Sequence, residues 1–103
     1  MVRANMVDRV REIVAEAKFS SWVASVGGEA IKLDRSQFPN YPDRLVLTHV
    51  NRYFWIEFKR IGEEPRKGQL LLHKHLRKKG QIIYVCQTFK EAKEAYESEV
   101  QSS

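Results

Sequence analysis

The order of sequence signals predicts an α/β fold with a mixed central sheet flanked by helices. Three observations lead there. An apolar repeat at helical spacing opens the chain, three short β-rich runs follow, and a fourth β-rich run comes only after a lysine-rich helical stretch. The first three runs can pair as an antiparallel meander. The fourth returns through a helix, so it must join by a crossover, which makes the sheet mixed. At 103 residues the chain reads as one domain, 1–103, with a modest core.

Asn5 is placed to cap a first helix, with Asp8 in the first turn, where the helix dipole favours an acid. Val7, Val10, Ile13, Val14 and Ala17 recur at helical spacing, and Gly27-Gly28 predicts a stop near residue 26. Residues 29–33 read as a strand. Residues 34–42 hold two prolines with Asn, Asp and Ser and read as a loop. Runs 45–48 and 53–58 form strands joined by a hairpin at His49-Val50-Asn51-Arg52. Pro65 suits the first position of a helix over 66–79 that ends at Gly80. Residues 82–86 form the last strand. Thr88-Phe89-Lys90-Glu91 has the pattern of a capping box for a final helix to about residue 98, with 101–103 frayed.

The aliphatic runs are too short to cross a membrane. No apolar stretch of signal-peptide length follows the N-terminus, and the single cysteine, Cys86, has no internal partner. A reducing, cytoplasmic setting is the expectation. Eighteen basic against thirteen acidic residues give +5, which suits a polyanionic partner. One cysteine and three histidines offer no zinc spacing, and there is no glycine-rich phosphate loop.

The residues that carry chemistry lie at strand ends. Asp43 opens the run Leu45-Val46-Leu47. Glu57 closes the run Tyr53-Phe54-Trp55-Ile56, and Lys59 follows two residues later. Residues two apart on a strand point the same way, so Glu57 and Lys59 share a face, and hairpin pairing brings Asp43 towards Glu57. Two nearby carboxylates repel, and a hard divalent cation such as Mg²⁺ or Mn²⁺ relieves the repulsion. Such an ion lowers the pKa of a bound water beside a phosphodiester, and a lysine stabilises the developing charge. The same spacing also serves a plain Glu57–Lys59 ion pair on a solvated face, with Asp43 as a turn residue.

The joined set resembles the VRR-NUC domain of the PD-(D/E)xK nuclease superfamily over roughly residues 16–92. Pro42-Asp43-Arg44-Leu45-Val46-Leu47 resembles that family's PDRLVL strand, and Ile56-Glu57-Phe58-Lys59 its (I/V)ExK strand. Gln69, His73, Leu76 and Gly80 fall at the spacing of the family's next helix, and residues 82–85 at that of its next strand. Gly27-Gly28-Glu29-Ala30-Ile31-Lys32 is similar to the segment leading into the family's first strand. The resemblance implies a restriction-endonuclease-like αβββαβ core and a metal-dependent deoxyribonuclease. Asp43, Glu57, Lys59 and Gln69 would be its catalytic set. The metal ligands would be Asp43, Glu57, the backbone carbonyl of Phe58 and a first-helix glutamate, Glu16, with Glu12 one turn earlier as the alternative.

Stand-alone relatives are small proteins of bacteria and phages. The resemblance therefore implies a homodimer that cuts branched DNA, such as four-way junctions, in repair, recombination or replication. A flap or single-strand nuclease, a nickase, or a DNA-binding module without catalysis are the alternatives on this fold. Trp22 or Trp55 would be covered in a dimer.

Gln69, Leu72, His73 and Leu76 share a helix stripe, which puts an amide beside the apolar face. Lys32, Arg35, Arg44 and Arg60 near the proposed site, and Lys67 and Lys74 on the basic helix, are the candidates for phosphate contacts. Where relatives often carry glycines before the strand aspartate, this chain has Phe38-Pro39-Asn40-Tyr41-Pro42. Phe38 and Tyr41 have the chemistry to stack on an unpaired base, or equally to fill space under the loop.

Overall fold

The computed structural model describes residues 6–103. Helix α1 (Met6–Ser25) leads into strands β1 (Glu29–Lys32), β2 (Arg44–Leu47) and β3 (Tyr53–Phe58). Helix α2 (Lys67–Lys78), strand β4 (Ile83–Cys86) and helix α3 (Phe89–Gln101) complete the chain. The Asn5 cap and the Asp8 side chain lie outside the described residues. The sheet order is β1-β2-β3-β4, with the first three strands antiparallel and β4 parallel to β3 through the α2 crossover. This is the mixed sheet that the element order predicts.

Strand alternation sorts the side chains. Val46, Phe54, Ile56 and Phe58 point to one face, where Ala15, Phe19 and Val23 of α1 and Ala92 and Tyr96 of α3 close the core. Leu45, Trp55 and Glu57 point to the other face, which α2 covers with its buried Gln69, His73 and Leu76. Tyr96 fixes the core to the hairpin, its hydroxyl accepting from the His49 N–H at 3.0 Å. Glu99 of α3 accepts from Arg52 at 3.0 Å and from the Tyr84 hydroxyl at 2.6 Å, which ties the same turn to β4. Asn51 supplies the positive φ of 62° that the turn needs.

Gly27, at φ +91°, ends α1 in the left-handed region. Gly28 allows a close approach instead: a Cβ there would lie 2.6 Å from the Leu47 carbonyl oxygen and 2.7 Å from the Tyr96 hydroxyl.

Helix α1 departs from the sequence expectation. The repeat Val7, Val10, Ile13, Val14 faces solvent, each residue about half exposed or more. The buried stripe is Ala15, Phe19 and Val23, on the opposite side of the helix. Pro65 also lies outside α2, because Arg66 keeps an extended backbone (ψ 160°) and caps the helix. Residues 101–103 are less frayed than predicted. Helix α3 runs to Gln101, and both the N–H and the hydroxyl of Ser102 donate to the Ser98 carbonyl. Among the described residues no helix is long and apolar enough to cross a membrane.

Candidate active site

The register that pairs Arg44 with Ile56 makes Asp43 and Glu57 the next facing residues of β2 and β3. Each carboxylate accepts from a backbone N–H of the facing strand. The Asp43 N–H donates to Glu57 Oε1 at 2.9 Å, and the Phe58 N–H donates to Asp43 Oδ2 at 2.8 Å. Pro42, fully buried, anchors the approach to Asp43. Lys59 lies just past β3, but its N–H donates to the Cys86 carbonyl at 2.9 Å, so the parallel pairing with β4 holds it in line. Its side chain therefore shares the Glu57 face.

Gln69 closes the group from α2. Its Nε2 donates to Glu57 Oε2 at 2.5 Å, and its Oε1 accepts from Lys59 Nζ at 2.9 Å and from the Arg66 N–H at 3.0 Å. Lys59 Nζ also lies 3.1 Å from Glu57 Oε2. Asp43, Glu57, Lys59 and Gln69 are all buried, Glu57 to 1% exposure. The plain reading of a solvated Glu57–Lys59 pair does not hold, because that sheet face is covered. Burial first, and then the charge of Asp43, push the Glu57 carboxyl up to about 7, against the opposing pull of Lys59.

A cleft of about 250 Å³ opens beside this group, lined among others by Glu12, Arg35, Phe58, Lys59 and Gln69. The helix carboxylate that reaches it is Glu12, paired with Arg60 at 3.0 Å. Glu16 is not brought there. It accepts from Arg44 at 2.9 Å and lies 3.5 Å from Lys32, on the α1 side of the sheet. The sequence expectation is revised accordingly, from Glu16 to its alternative one turn earlier.

The proposed phosphate contacts divide in the same way. Arg35 binds Asp43 Oδ1 at the cleft, and Arg60 lies at its wall. Arg44 is instead engaged with Glu16 and the Ala30 carbonyl, and Lys32 with Glu16, away from the cleft. Lys67 and Lys74 are exposed on α2. Glu63, Glu64 and Arg66, none of them predicted for the site, also line the cleft. Glu63 lies 3.9 Å from Lys59 Nζ, and Arg66 caps α2 through Gln69. Their sequence signal is proximity, since Glu63 is four residues from Lys59 and Arg66 three before Gln69. His73, on the same helix stripe as Gln69, is fully buried, and burial lowers its pKa.

Among the described residues no three His, Cys, Asp or Glu side chains converge as a metal cluster. The donors at the cleft nevertheless fit a hard divalent cation. Two carboxylates face each other, no histidine or cysteine is among the described residues lining the cleft, and the charge of Asp43 adds to burial in raising Glu57. Asp43, Glu57 and the Phe58 carbonyl would hold the ion, with Glu12 across the cleft.

A buried acid pair, a lysine and a bridging glutamine on a sheet of three antiparallel strands and one parallel strand define a restriction-endonuclease-like domain. A solved structure described as a VRR_NUC domain is similar to this chain with a TM-score of 0.75 and 25% identity, over 84% of this chain and 95% of that one. The chain has the VRR-NUC fold that its motifs predict. No protein-family model and no curated protein sequence matches it.

Proposed function

We propose that this chain is a divalent-metal-dependent DNA endonuclease that hydrolyses phosphodiester bonds, with branched DNA as its substrate and a homodimer as its working form. The observation that carries the reading is the facing of Asp43 and Glu57 across β2 and β3, with Lys59 and Gln69 locked onto Glu57 beside an open cleft. The solved VRR_NUC domain of similar fold supports the nuclease class.

A bound Mg²⁺ or Mn²⁺ would supply a Lewis acid for the phosphate and a water of lowered pKa. The protein supplies the rest. Gln69 holds the Lys59 ammonium at one carboxylate oxygen, so it is preorganised to meet charge developing on the phosphate. Arg35 and Arg60 at the cleft walls are placed to steer the DNA backbone.

The test is cleavage of labelled duplex, flap and four-way-junction DNA with Mg²⁺, Mn²⁺ or EDTA, for wild type and Lys59→Ala. Paired cuts in the junction that need metal and vanish in Lys59→Ala support the proposal. Cutting confined to flaps or to one strand would replace the junction reading with a flap nuclease or nickase. Binding without metal-dependent cutting would leave a DNA-binding module.

The two helix carboxylates separate by variant. Glu12→Gln is expected to lower the metal-dependent rate by about 10-fold or more, as the loss of one charged group near a metal does. Glu16→Gln should keep that rate but cost about 1–2 kcal/mol in urea unfolding, because Arg44 loses a charged partner. Equal rates for wild type and Glu12→Gln would remove Glu12 from the site.

The dimer is supported by the exposed α1 stripe. Val7, Val10, Ile13 and Val14 form an apolar face left exposed among the described residues, and Ile61 is exposed near it at the groove that Val10 and Val14 line. Trp22 and Trp55, the dimer candidates from sequence, are instead packed within the chain, against Phe89 and Tyr96 and against Tyr41 respectively. Sedimentation equilibrium should show a dimer for wild type and a folded monomer for Val10→Asp. A monomeric wild type at micromolar concentration would sink the dimer.

A further inference from the structure

The loop between β1 and β2 is tied together by its own hydrogen bonds and carries an exposed ring. Its first turn is knit by Asp34, whose Oδ1 accepts from the Ser36 N–H at 2.9 Å and the Ser36 hydroxyl at 2.8 Å. The Asp34 carbonyl accepts from the Phe38 N–H at 2.9 Å, and the Phe38 carbonyl from the Tyr41 N–H at 3.3 Å. Asn40 takes the bend at φ 68°, and Pro42 is buried beneath. Phe38 emerges from this frame 42% exposed. Its ring meets Tyr41 nearly at right angles, with centroids 5.5 Å apart, and Tyr41 rests on Trp55 at 5.8 Å. Trp55 shares its strand face with Glu57, two residues on. The aromatic row therefore runs from the candidate site out to solvent.

The same loop touches α2. A Cβ on Gly68 would lie 3.0 Å from the Asn40 side chain, so the loop tip rests on the first turn of the helix. Leu71, one turn beyond Gly68, is 61% exposed on that flank. Cations border the ridge: Arg35, three residues before Phe38, reaches Asp43, and Lys67 adjoins Gly68. A supported aromatic ring with an apolar neighbour, rimmed by cations next to a phosphodiester site, matches an unpaired nucleobase flanked by phosphates.

Resting on the nuclease reading above, we infer that Phe38, backed by Tyr41 and Trp55, stacks on a base displaced from the duplex beside the cleft. This ring then selects DNA with an unstacked nucleotide next to the cut.

The test uses the full chain in EDTA and in Ca²⁺, with DNA carrying 2-aminopurine at the unpaired position of a flap or junction and a fully paired duplex of equal length. Wild type is expected to quench the 2-aminopurine. Phe38→Ala should lose the quenching and bind the branched DNA about 10-fold more weakly, with duplex affinity changed less than about twofold, and Phe38→Trp should restore both. Melting temperatures check that the variants are folded. Equal weakening on both DNAs, or an unquenched probe with wild type, overturns the inference. If metal-dependent cleavage persists while Phe38→Ala has no selective effect, only the stacking role fails. If stacking is seen without any cutting, the catalytic reading fails and the stacking role stands. If neither DNA binds, both fail.

Discussion

Replacing Glu57 with glutamine is expected to lower cleavage by at least about 10³-fold and, in the same protein, to make the metal-free melting temperature, relative to wild type, rise between about pH 5 and about pH 8. The two effects have one cause. Glu57 is buried against Asp43, and its carboxyl is raised from 4.5 to about 7. A folded-state pKa above the unfolded one means that the fold prefers the protonated acid. The stability this group contributes is then full below about pH 4.5 and is lost as the pH rises through about 7. The cost of ionising it in the fold is at most on the order of 3 kcal/mol. Glutamine keeps the shape without the charge, although its amide nitrogen then meets Gln69 Nε2 and Lys59 where Glu57 Oε2 accepts. The stability of the metal-free variant relative to wild type should therefore rise between about pH 5 and about pH 8. Added Mg²⁺ or Mn²⁺ should raise the wild-type melting temperature and leave the variant nearly unchanged. Thermal melts across pH, with and without metal, read all of this. A variant whose stability relative to wild type does not rise over that range would mean that the ion pair with Lys59 outweighs the burial of charge.

The second large effect lies in the core. Phe54 is fully buried on β3, with its ring against Tyr84 at 5.4 Å and Tyr96 at 6.3 Å. Phe54→Ala removes an aromatic side chain where sheet and α3 meet, and the rigid ring neighbours limit collapse into the space. The expected loss is about 3–5 kcal/mol. In a domain of this size each kcal/mol shifts the melting temperature by roughly 4–8 °C, so a fall of about 12 °C or more follows. Urea unfolding at fixed pH measures it. A loss below about 1 kcal/mol would mean that the face closed by α3 is loosely packed.

Much of this was legible in the sequence, for identifiable reasons. The strands announced themselves because β-branched and aromatic runs are bounded by turn residues. Glu57 and Lys59 stood out because two charges at the end of an apolar strand need a partner, and Gln69 because it interrupts an apolar stripe. Helix α1 was misread because it carries two apolar arcs. Val7 to Val14 form the more regular repeat, whereas the buried Ala15, Phe19 and Val23 are spaced by single turns and mixed with polar neighbours. That ambiguity also hid which glutamate reaches the cleft, since Glu12 and Glu16 are one turn apart and only helix rotation and tilt decide. Arg44 looked like a phosphate contact from its place beside Asp43. Strand alternation sends it to the opposite face, where it meets Glu16.

The crossover that makes the sheet mixed also sets the order in which the site can be assembled. Asp43 and Glu57 belong to one hairpin and can meet as soon as it zips, a local event in the chain. Lys59 comes into line only when β4 docks in parallel, and Gln69 only when α2 lies across the sheet, both of which require closing a much longer loop. Asp43 can therefore meet Arg35 within the local meander, whereas Glu57 gains its Gln69 contact only when the α2–β4 unit docks. The carboxyl that the fold raises is the one whose surroundings are completed last.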